Sequence, residues 1–489
     1  MNKGKIFFIG AGAGDFELLT LKGKRLLESA DCIIYDRLIN EKILSFANPK
    51  AELIYLGKEN TEGGTLQNII NNTLIEKALS GNFKNIIRLK GGDSFVFGRG
   101  GEEIETISKH NIDFEIVPGI SSSIAVPEYA GIPVTHRKIA RSFHIFTGMT
   151  ADNDDIQDFE TIAKLDGTLV FLMGVKNLDF ICSNLIKYGK SPLTPVAVIE
   201  KGCSSFQKTI VGTLENISKK SQEIKPPSII IIGEVVTKRE IYNWFEKLPL
   251  FGKNIIVTRE KTQGDDFGKE IEKNGGKSIS LPMIELIDQM DKFDFSTLKK
   301  YKAIMFNSPN GVNFFFKHIP DIRLLSNLKI GVIGSKTYEE IKKYKVIPDV
   351  MPEEYLSDKL AYEITKVTDE NDNILIITSD ISPINEEEFF IKYKRNFKKF
   401  VGYKNISTEI SQDKILNSLK IATHITFFSG SAVENFFKTL KDPSLLNQNI
   451  KILSIGPSTT KKIREYTSLP VIQCKIYNGN EMLKNLEFF

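Results

Sequence analysis

Cysteine is scarce in this chain of 489 residues, and its four copies are spread along the whole length: Cys32, Cys182, Cys203 and Cys474. None of them belongs to a CxxC pair, and none has a histidine at metal-ligand spacing. This pattern argues against a disulfide framework and against a zinc site. We therefore expect no bound metal and a reducing compartment, the cytoplasm.

Excess charge and long apolar runs are also missing. Lys and Arg total 65 against 61 for Asp and Glu, a net charge of +4, which is too small to predict nucleic acid as the main partner. No apolar run approaches the ~18 residues of a membrane span, and the chain enters a strand by Lys5 without the regions of a signal peptide. We expect neither a membrane nor a nucleic acid as partner.

The composition is that of an ordinary globular protein, with 41% hydrophobic and 26% charged residues. A chain of this length is too long for one core and predicts about two to four domains. Alternating strand and helix patterns run from end to end, which predicts an α/β fold.

A glycine-rich turn follows the first apolar strand. Residues 5–9 lead into residues 10–15 (GAGAGD), and helical spacing begins at Leu18. The glycines are spaced GxGxG, whereas a dinucleotide site has GxGxxG, and no Lys-Ser/Thr pair for a phosphate loop is present. The turn is therefore a weak signal by itself, and a purely structural turn is the alternative.

The densest local signal is residues 88–103 (RLKGGDSFVFGRGGEE). A strand ending in Gly91, Gly92 and Asp93 places bare backbone and one acceptor side chain at its carboxyl end, where open α/β sheets bind small molecules. Two plain turns are the alternative for the glycines alone. The complete string favours a binding site.

Other strand ends carry polar groups as well. Asp36-Arg37 follows the second strand and Gly57-Lys58 follows the strand of residues 53–56. Residues 118–123 (PGISSS) follow the strand of residues 114–117, and residues 130–137 (AGIPVTHR) come next, with Arg141 beyond. A surface ion pair and helix N-caps are the structural alternatives. Convergence of these strand ends at one rim favours a cleft that binds a polyanion.

A sequence boundary falls at residues 248–252 (LPLFG), and two segments of the second half recur about 120 residues later. Residues 303–311 (AIMFNSPNG) resemble residues 424–431 (HITFFSGS), and residues 330–337 (IGVIGSKT) resemble residues 452–459 (ILSIGPST). A repeated strand ending in Ser with Gly or Asn predicts two similar α/β lobes, with a site between them.

Residues 4–245 resemble the uroporphyrinogen-III C-methyltransferases of the tetrapyrrole methylase family. The motifs that carry the resemblance are residues 10–15 with 18–23 (LLTLKG), 35–38 (YDRL), 88–103, 117–122 (VPGISS), 130–137 and 232–236 (IGEVV). The resemblance implies a two-lobed methylase fold, S-adenosyl-L-methionine as cofactor, and a homodimer as the typical assembly.

The resemblance also implies roles for individual residues. The adenosylmethionine contacts would be Ala13, Gly91, Gly92, Asp93, Val96, Ser121, Ser122, Met173 and Gly202. The proton acceptor and donor fall on Asp36 and Lys58. Because uroporphyrinogen III carries eight carboxylates, we expect the basic residues near the cleft mouth to anchor it: Arg37, Lys90, Arg99, Arg137 and Arg141.

Residues 253–489 resemble uroporphyrinogen-III synthase, a cofactor-free enzyme of two α/β lobes joined by two strands. The match lies in residues 258–259, 307–308 with Gly311, 333–337, 403, 428–433 and 455–459. Tyr403 is the candidate that would assist loss of the substrate hydroxyl. The candidate substrate contacts are Thr258, Arg259, Ser308, Ser335, Ser429 and Thr459.

These resemblances predict a methyltransferase domain at residues 1–247 and a synthase domain at residues 253–489. The second would cyclise hydroxymethylbilane to uroporphyrinogen III, and the first would methylate that product twice to precorrin-2. Two alternatives remain open: the second half senses a metabolite without turning it over, or the first half methylates another precorrin or RNA.

Overall fold

The computed structural model describes residues 3–57, 63–149, 157–381 and 385–488. The chain forms two compact units, the first of residues 1–254 and 270–277, the second of residues 255–269 and 278–489. Both units are α/β, so the predicted fold class is confirmed.

The first unit begins with a parallel sheet of strand order β3-β2-β4-β1-β5. Its strands are β1 Lys5–Gly10, β2 Cys32–Tyr35, β3 Glu52–Tyr55, β4 Asn85–Lys90 and β5 Phe114–Val117. The helices are α1 Leu21–Glu28, α2 Gly63–Leu79, α3 Gly100–Ser108 and α4 Ser122–Tyr129. The central strands are nearly continuous apolar runs because helices cover both faces of a parallel sheet.

A mixed sheet of order β6-β7-β10-β8-β9 follows in the same unit. Its strands are β6 Phe143–Thr147, β7 Thr168–Leu172, β8 Pro195–Glu200, β9 Lys208–Thr213 and β10 Ser228–Ile232. The helices are α5 Phe159–Lys164, α6 Leu178–Lys187, α7 Ile217–Lys220 and α8 Arg239–Tyr242. One apolar cluster, which includes Ala13, Val126, Leu172 and Cys203, joins the two lobes of this unit.

The second unit contains two further sheets, of order β12-β11-β18-β19-β20 and β13-β17-β16-β14-β15. The strands are β11 Asn254–Val257, β12 Lys277–Ser280, β13 Ile284–Asp288, β14 Ala303–Phe306, β15 Lys329–Val332, β16 Asn373–Ser379, β17 Asn396–Ser407, β18 His424–Phe427, β19 Lys451–Ser454 and β20 Val471–Gln473. The helices are α9 Lys261–Lys273, α10 Pro309–His318, α11 Gly334–Lys342, α12 Ser357–Thr365, α13 Asn385–Lys392, α14 Gln412–Leu419, α15 Gly430–Leu440, α16 Pro457–Arg464 and α17 Gly479–Phe488.

The predicted internal repeat is confirmed in the second unit. Strands β14 and β18 occupy equivalent places and lead into α10 and α15, where Ser308 and Ser429 are the N-caps. Their backbone angles agree closely, with φ −159° and ψ 156° for Ser308 and φ −161° and ψ 158° for Ser429. The same strand-serine-helix unit therefore builds both lobes.

Two antiparallel strands connect these lobes. Strand β13 pairs with the second half of β17, from Ile284 opposite Ser407 to Asp288 opposite Tyr403. The first half of β17 pairs in parallel with β16 inside the lobe sheet. The two-strand link implied by the resemblance is thus present, and it ends beside Tyr403.

The described part of the chain was compared with the requirements of a membrane span and of a metal site. No helix in it has the length and apolar character required to cross a bilayer. No group of three or more acidic, cysteine or histidine side chains is arranged to hold a metal ion there.

We predict that Phe436→Ala destabilises the second unit by roughly 3–5 kcal/mol, because it leaves a cavity in a packed core. Phe436 is fully buried and its ring contacts those of Phe427 and Phe437. Urea unfolding of the full chain measures the effect. The control, Phe488→Ala, removes a ring that is 81% exposed and should change the unfolding free energy by no more than about 0.5 kcal/mol.

Candidate active sites

Three loops cross at the carboxyl ends of neighbouring strands in the first unit. The backbone N–H of Gly12 donates to the Gly92 carbonyl at 3.1 Å, and the N–H of Gly92 donates to the Gly12 carbonyl at 2.7 Å. Asp93 Oδ2 accepts from the N–H of Gly119 at 2.9 Å, and its Oδ1 accepts from the N–H of Phe95 at 2.8 Å. Asp93 therefore ties the loop after β4 to the loop after β5.

This crossing depends on glycine. A Cβ on Gly119 would lie 2.2 Å from the carbonyl oxygen of Gly92 and 2.6 Å from Cα of Gly10, too close for any side chain. Gly92 differs, because a Cβ there would meet only the backbone of Ser121 and Ser122, at 3.6 Å or beyond. The N–H and C=O of Gly92 are paired with Gly12, and the open space beside its Cα leaves room for a small molecule to approach the loop closely.

The second lobe meets this crossing at Gly202. A Cβ on Gly14 would lie 2.4 Å from the Gly202 carbonyl oxygen, so the two loops are in direct contact. Ala13 and Val96 belong to the same apolar cluster as Cys203. The structure thus brings together the cofactor candidates Ala13, Gly91, Gly92, Asp93, Val96, Ser121, Ser122 and Gly202.

Met173 and Ser121 have distinct local environments. Met173 is 46% exposed and left-handed at φ 58°, like Lys201 at φ 47° and Cys203 at φ 59° on either side of Gly202. Non-glycine residues in this strained region concentrate at functional loops. Ser121 is buried and its hydroxyl caps α4 by accepting from the N–H of Ser123, so its side chain is already used.

Asp36 directly follows β2. Its Oδ1 accepts from the N–H of Leu38 at 3.0 Å, and its Oδ2 lies 3.7 Å from Nη2 of Arg88. A quarter of the Asp36 side chain is exposed, which leaves the carboxylate accessible. Its expected partner, Lys58, lies outside the described residues.

The basic candidates differ in exposure. Arg37, Arg137 and Arg141 are exposed, the last two around a short turn closed by hydrogen bonds between His136 and Ala140. Arg99 is exposed and forms an ion pair with Glu102 at 2.7 Å; this pairing raises the pKa of Arg99 and lowers that of Glu102.

Lys90 does not fit the role expected for it, which was to anchor substrate carboxylates at the cleft mouth. It is 5% exposed and its ammonium donates to Glu103, which is fully buried. Burial and the neighbouring Arg88 lower the pKa of Lys90. Lys90 therefore supplies no cation to the cleft mouth, because its side chain lies on the α3 face of the sheet, where Glu103 accepts from its ammonium.

The second unit holds a cavity of about 270 Å³ between its lobes. The segments that follow β11, β18 and β19 line one side, and residues from α10, α11 and the linking strands line the other. The lining residues are Arg259, Glu260, Gln263, Ile284, Leu286, Asn310, Lys336, Asn405, Phe428, Ser429, Ala432, Ile455 and Tyr477. Its charged lining residues are the cations Arg259 and Lys336 and the anion Glu260. Arg259 stacks on Phe428 at 4.8 Å from the ring centroid.

Arg259 and Lys336 are close enough to influence each other. Burial lowers the pKa of Arg259, and burial together with Arg259 lowers the pKa of Lys336. Within the described ranges neither is paired with a carboxylate. Two unpaired, partly desolvated cations favour an anionic ligand between them.

Tyr403 is buried, with 6% exposure, at the junction of β17 with the linking strands. Its hydroxyl lies 2.8 Å from Ser308 Oγ, and Ser379 and Asn310 also hydrogen-bond to it. Burial raises the pKa of Tyr403 despite these partners. The phenol therefore keeps its proton at neutral pH.

The hydroxyl candidates of the second unit fall into two groups. Ser429 lines the cavity and Ser308 contacts Tyr403, although both also cap helices. Thr258 is fully buried and donates to the Thr426 carbonyl at 2.8 Å, so its hydroxyl is unavailable to a substrate. Thr459 is 2% exposed, and Ser335 is exposed without lining the cavity.

Four residues of these sites, Lys336, Asn310, Arg88 and Glu103, had no role predicted from the sequence. Lys336 differs from Ser458 at the equivalent repeat position, a departure that could have identified it. Asn310 contacts Tyr403, and its Oδ1 accepts from Gln263 at 2.7 Å. The pairing of Arg88 with Glu103 spans fifteen positions, and no local pattern predicts such a contact.

Comparisons with known proteins bear on both units. Residues 5–218 match the family model described as Tetrapyrrole (Corrin/Porphyrin) Methylases, and residues 265–484 match the model described as Uroporphyrinogen-III synthase HemD. The "Porphyrin biosynthesis protein HemD" of Ruminiclostridium josui is 36% identical over 479 residues, covering 95% of this chain and 94% of the relative.

Other similarities cover the first half. An "S-adenosyl-L-methionine-dependent uroporphyrinogen III methyltransferase" of Methanosarcina barkeri is 48% identical, covering 49% of this chain and 95% of the relative. A crystal structure of a uroporphyrin-III C-methyl transferase from Thermus thermophilus, complexed with S-adenyl homocysteine, is 37% identical with a TM-score of 0.41, covering 48% of this chain and 93% of that one.

We predict that Gly119→Ala weakens binding of S-adenosylhomocysteine at least tenfold and lowers thermal stability, because overpacking against two backbones costs roughly 1–3 kcal/mol. Isothermal titration calorimetry and thermal unfolding measure the two effects. The matched control is Gly101→Ala, where a Cβ meets nothing within 4 Å. Equal affinities for the two variants would contradict the role assigned to the loop crossing.

Proposed function

Because the chain belongs to the porphyrin biosynthesis proteins that join a tetrapyrrole methylase to a uroporphyrinogen-III synthase, we propose that it carries out two consecutive reactions. The second unit cyclises hydroxymethylbilane to uroporphyrinogen III. The first unit transfers two methyl groups from S-adenosyl-L-methionine to that product, giving precorrin-2. The observation that carries the proposal is that the two family models match consecutive parts of one chain, residues 5–218 and 265–484.

The first unit fits the methyl donor at the loop crossing. Gly92 lies beside open space, Gly91 packs directly against Leu38, and Asp93 fixes the loop by accepting from the N–H of Gly119. Ala13, Val96, Ser121, Ser122, Met173 and Gly202 complete the contacts in the proposal. The donor supplies a methyl group already activated on a sulfonium, so the chain has to align the partners and remove a proton.

Asp36 takes that proton, and Lys58 acts as acid or as an anchor for a substrate carboxylate. Asp36 suits the role because its carboxylate is partly exposed and directed by Leu38. Arg37, Arg99, Arg137 and Arg141 anchor the acidic acceptor. Lys90 has no part in this anchoring, since its ammonium is used by Glu103.

In the second unit, Tyr403 donates a proton to the departing hydroxyl of hydroxymethylbilane. Ser308, Ser379 and Asn310 orient the phenol. Arg259 and Lys336 bind substrate carboxylates from the two sides of the cavity, and Ser429 adds a hydroxyl there. The enzyme then holds a reactive cation in a fixed geometry while the ring closes.

The wider assignments are part of the same proposal. We place the methyltransferase domain at residues 1–247 and the synthase domain at residues 253–489. Joining them keeps an oxidisable intermediate at high local concentration. A cytoplasmic location agrees with four cysteines that are all buried and free of disulfides, and a homodimer would form through the methyltransferase domain.

We predict that the full chain, supplied with hydroxymethylbilane and adenosylmethionine, produces dimethylated precorrin-2. Asp36→Asn should stop the sequence at uroporphyrinogen III, with methylation reduced ~100-fold or more through loss of the base. Tyr403→Phe should slow formation of isomer III while leaving methylation of supplied uroporphyrinogen III unchanged. Anaerobic product analysis by chromatography separates isomers I and III.

The outcomes of this assay discriminate between the functions. Isomer I alone at the spontaneous rate would exclude the synthase reaction and favour a metabolite-sensing second half. Isomer III without methylation of uroporphyrinogen III would exclude the proposed methyl acceptor and leave another precorrin or RNA.

A second prediction concerns the cavity cations. Lys336→Gln should raise KM for hydroxymethylbilane about five- to tenfold, because one ion pair with a substrate carboxylate contributes roughly 1 kcal/mol. The control is Lys342→Gln, on the same helix but paired with Glu339 at 3.3 Å. Steady-state kinetics of isomer III formation test this, and an equal KM for both variants would remove Lys336 from the site.

A further inference from the structure

The first unit buries a group of charged side chains beside its proposed base. Arg88 is 1% exposed and Glu103 is fully buried. Arg88 donates from Nε to Oε2 of Glu103 at 3.0 Å and from Nη2 to Oε1 at 3.3 Å. Lys90 also donates to Oε1, and Gln67 Nε2 lies 3.4 Å from the same oxygen. Glu103 thus holds two cations in one place.

The electrostatics of Glu103 agree with this arrangement. Burial acts to raise the pKa of Glu103, but Arg88 and Lys90 outweigh it and hold that pKa below its ordinary value. The carboxylate is therefore ionised at neutral pH. Arg88 remains charged under all ordinary conditions.

The pleat of β4 explains where the cluster lies. Ile87 and Leu89 pack in the cluster on one face of the sheet, and Ile86 packs with Ile107 of α3 on the other. Arg88 and Lys90 alternate with Ile87 and Leu89 and so share the α3 face. A buried ion pair seldom stabilises a fold more than hydrophobic packing does. Stability of the fold alone therefore does not require charged side chains in this interior.

Asp36 lies at the edge of the cluster. Its Oδ2 is 3.7 Å from Arg88 Nη2, while its Oδ1 accepts from the N–H of Leu38. Nη1 of Arg88 donates to the carbonyls of Leu89 at 3.3 Å and Ile34 at 3.5 Å. The guanidinium is therefore fixed on several sides, and both oxygens of Asp36 face fixed donors.

We propose that Arg88, held by Glu103, is a positioning residue that fixes the carboxylate of Asp36 for proton removal during methyl transfer. This inference rests on the proposed function of the first unit. The Arg88 side chain is 2% exposed, against 25% for Asp36, so it influences an acceptor in the cleft through Asp36. The cluster is electrically balanced, with Arg88 and Lys90 against Glu103 and Asp36, which makes the burial of each charge tolerable.

A double-mutant cycle in the full chain tests the inference. Arg88→Met should lower kcat for methylation of uroporphyrinogen III roughly tenfold or more, with KM for both substrates within about twofold, because only the base is misdirected. In the Asp36→Asn background the same change should alter the rate by less than about twofold, since residues that act through one another are not additive. Single-turnover transfer from radiolabelled adenosylmethionine measures the slow variants.

Three companion variants separate positioning from folding. Arg88→Lys should recover part of the lost rate, because it restores the charge without the bidentate contact. The double variant Arg88→Met, Glu103→Gln leaves no buried carboxylate without its cation. It replaces Arg88→Met in the cycle if that single variant folds poorly. The control Arg239→Met removes another shielded ion pair of the same unit, the one with Glu246. It should change the methylation rate by the same factor in the wild-type background and in the Asp36→Asn background.

The results separate this role from the proposed function. If Arg88→Met, or the Arg88→Met, Glu103→Gln pair, lowers the rate equally in both backgrounds, as Arg239→Met does, the positioning role is refuted while the methyltransferase remains. A wild-type chain that transfers no methyl group to uroporphyrinogen III refutes the proposed function and this role together.

Discussion

The first active site depends on one constraint, the close contact of three backbone segments. These segments meet at Gly10, Gly92 and Gly119. The parallel order of β4, β1 and β5 brings the loops to one edge, and Asp93 then fastens two of them by accepting from the N–H of Gly119. Because the main chains touch, no side chain fills the crossing. The open space beside Gly92 therefore remains the place where a small molecule can approach this loop.

Charge is handled differently in the two units. The first unit buries Arg88 and Lys90 and pairs both with Glu103, so neither cation faces the cleft. The second unit leaves Arg259 and Lys336 on the wall of a cavity, where burial lowers the pKa of each. In the proposed reactions, the buried cations of the first unit act through Asp36, and the cations of the second unit pair with substrate carboxylates.

The repeated lobes of the second unit show how one local motif takes two roles. Ser308 and Ser429 cap helices with almost identical geometry, yet Ser308 also contacts Tyr403 and Ser429 also lines the cavity. A cap and a ligand contact are compatible because a serine hydroxyl accepts and donates at once. One difference between the lobes is Lys336, where the other repeat has Ser458.

The sequence by itself determined the α/β class, the main strands, the repeat and the loops at the strand ends, because apolar periodicity and glycine turns are local. It also determined the family, through strings such as residues 88–103. It did not predict β9, whose half-buried pattern is weak at a sheet edge. Only the tertiary structure decided which polar groups are available: Thr258 and Lys90 are taken up by partners distant in sequence, and Arg88 meets Asp36 through the pairing of β2 with β4. Burial and pairing depend on contacts across the fold, so residue type and spacing cannot determine them.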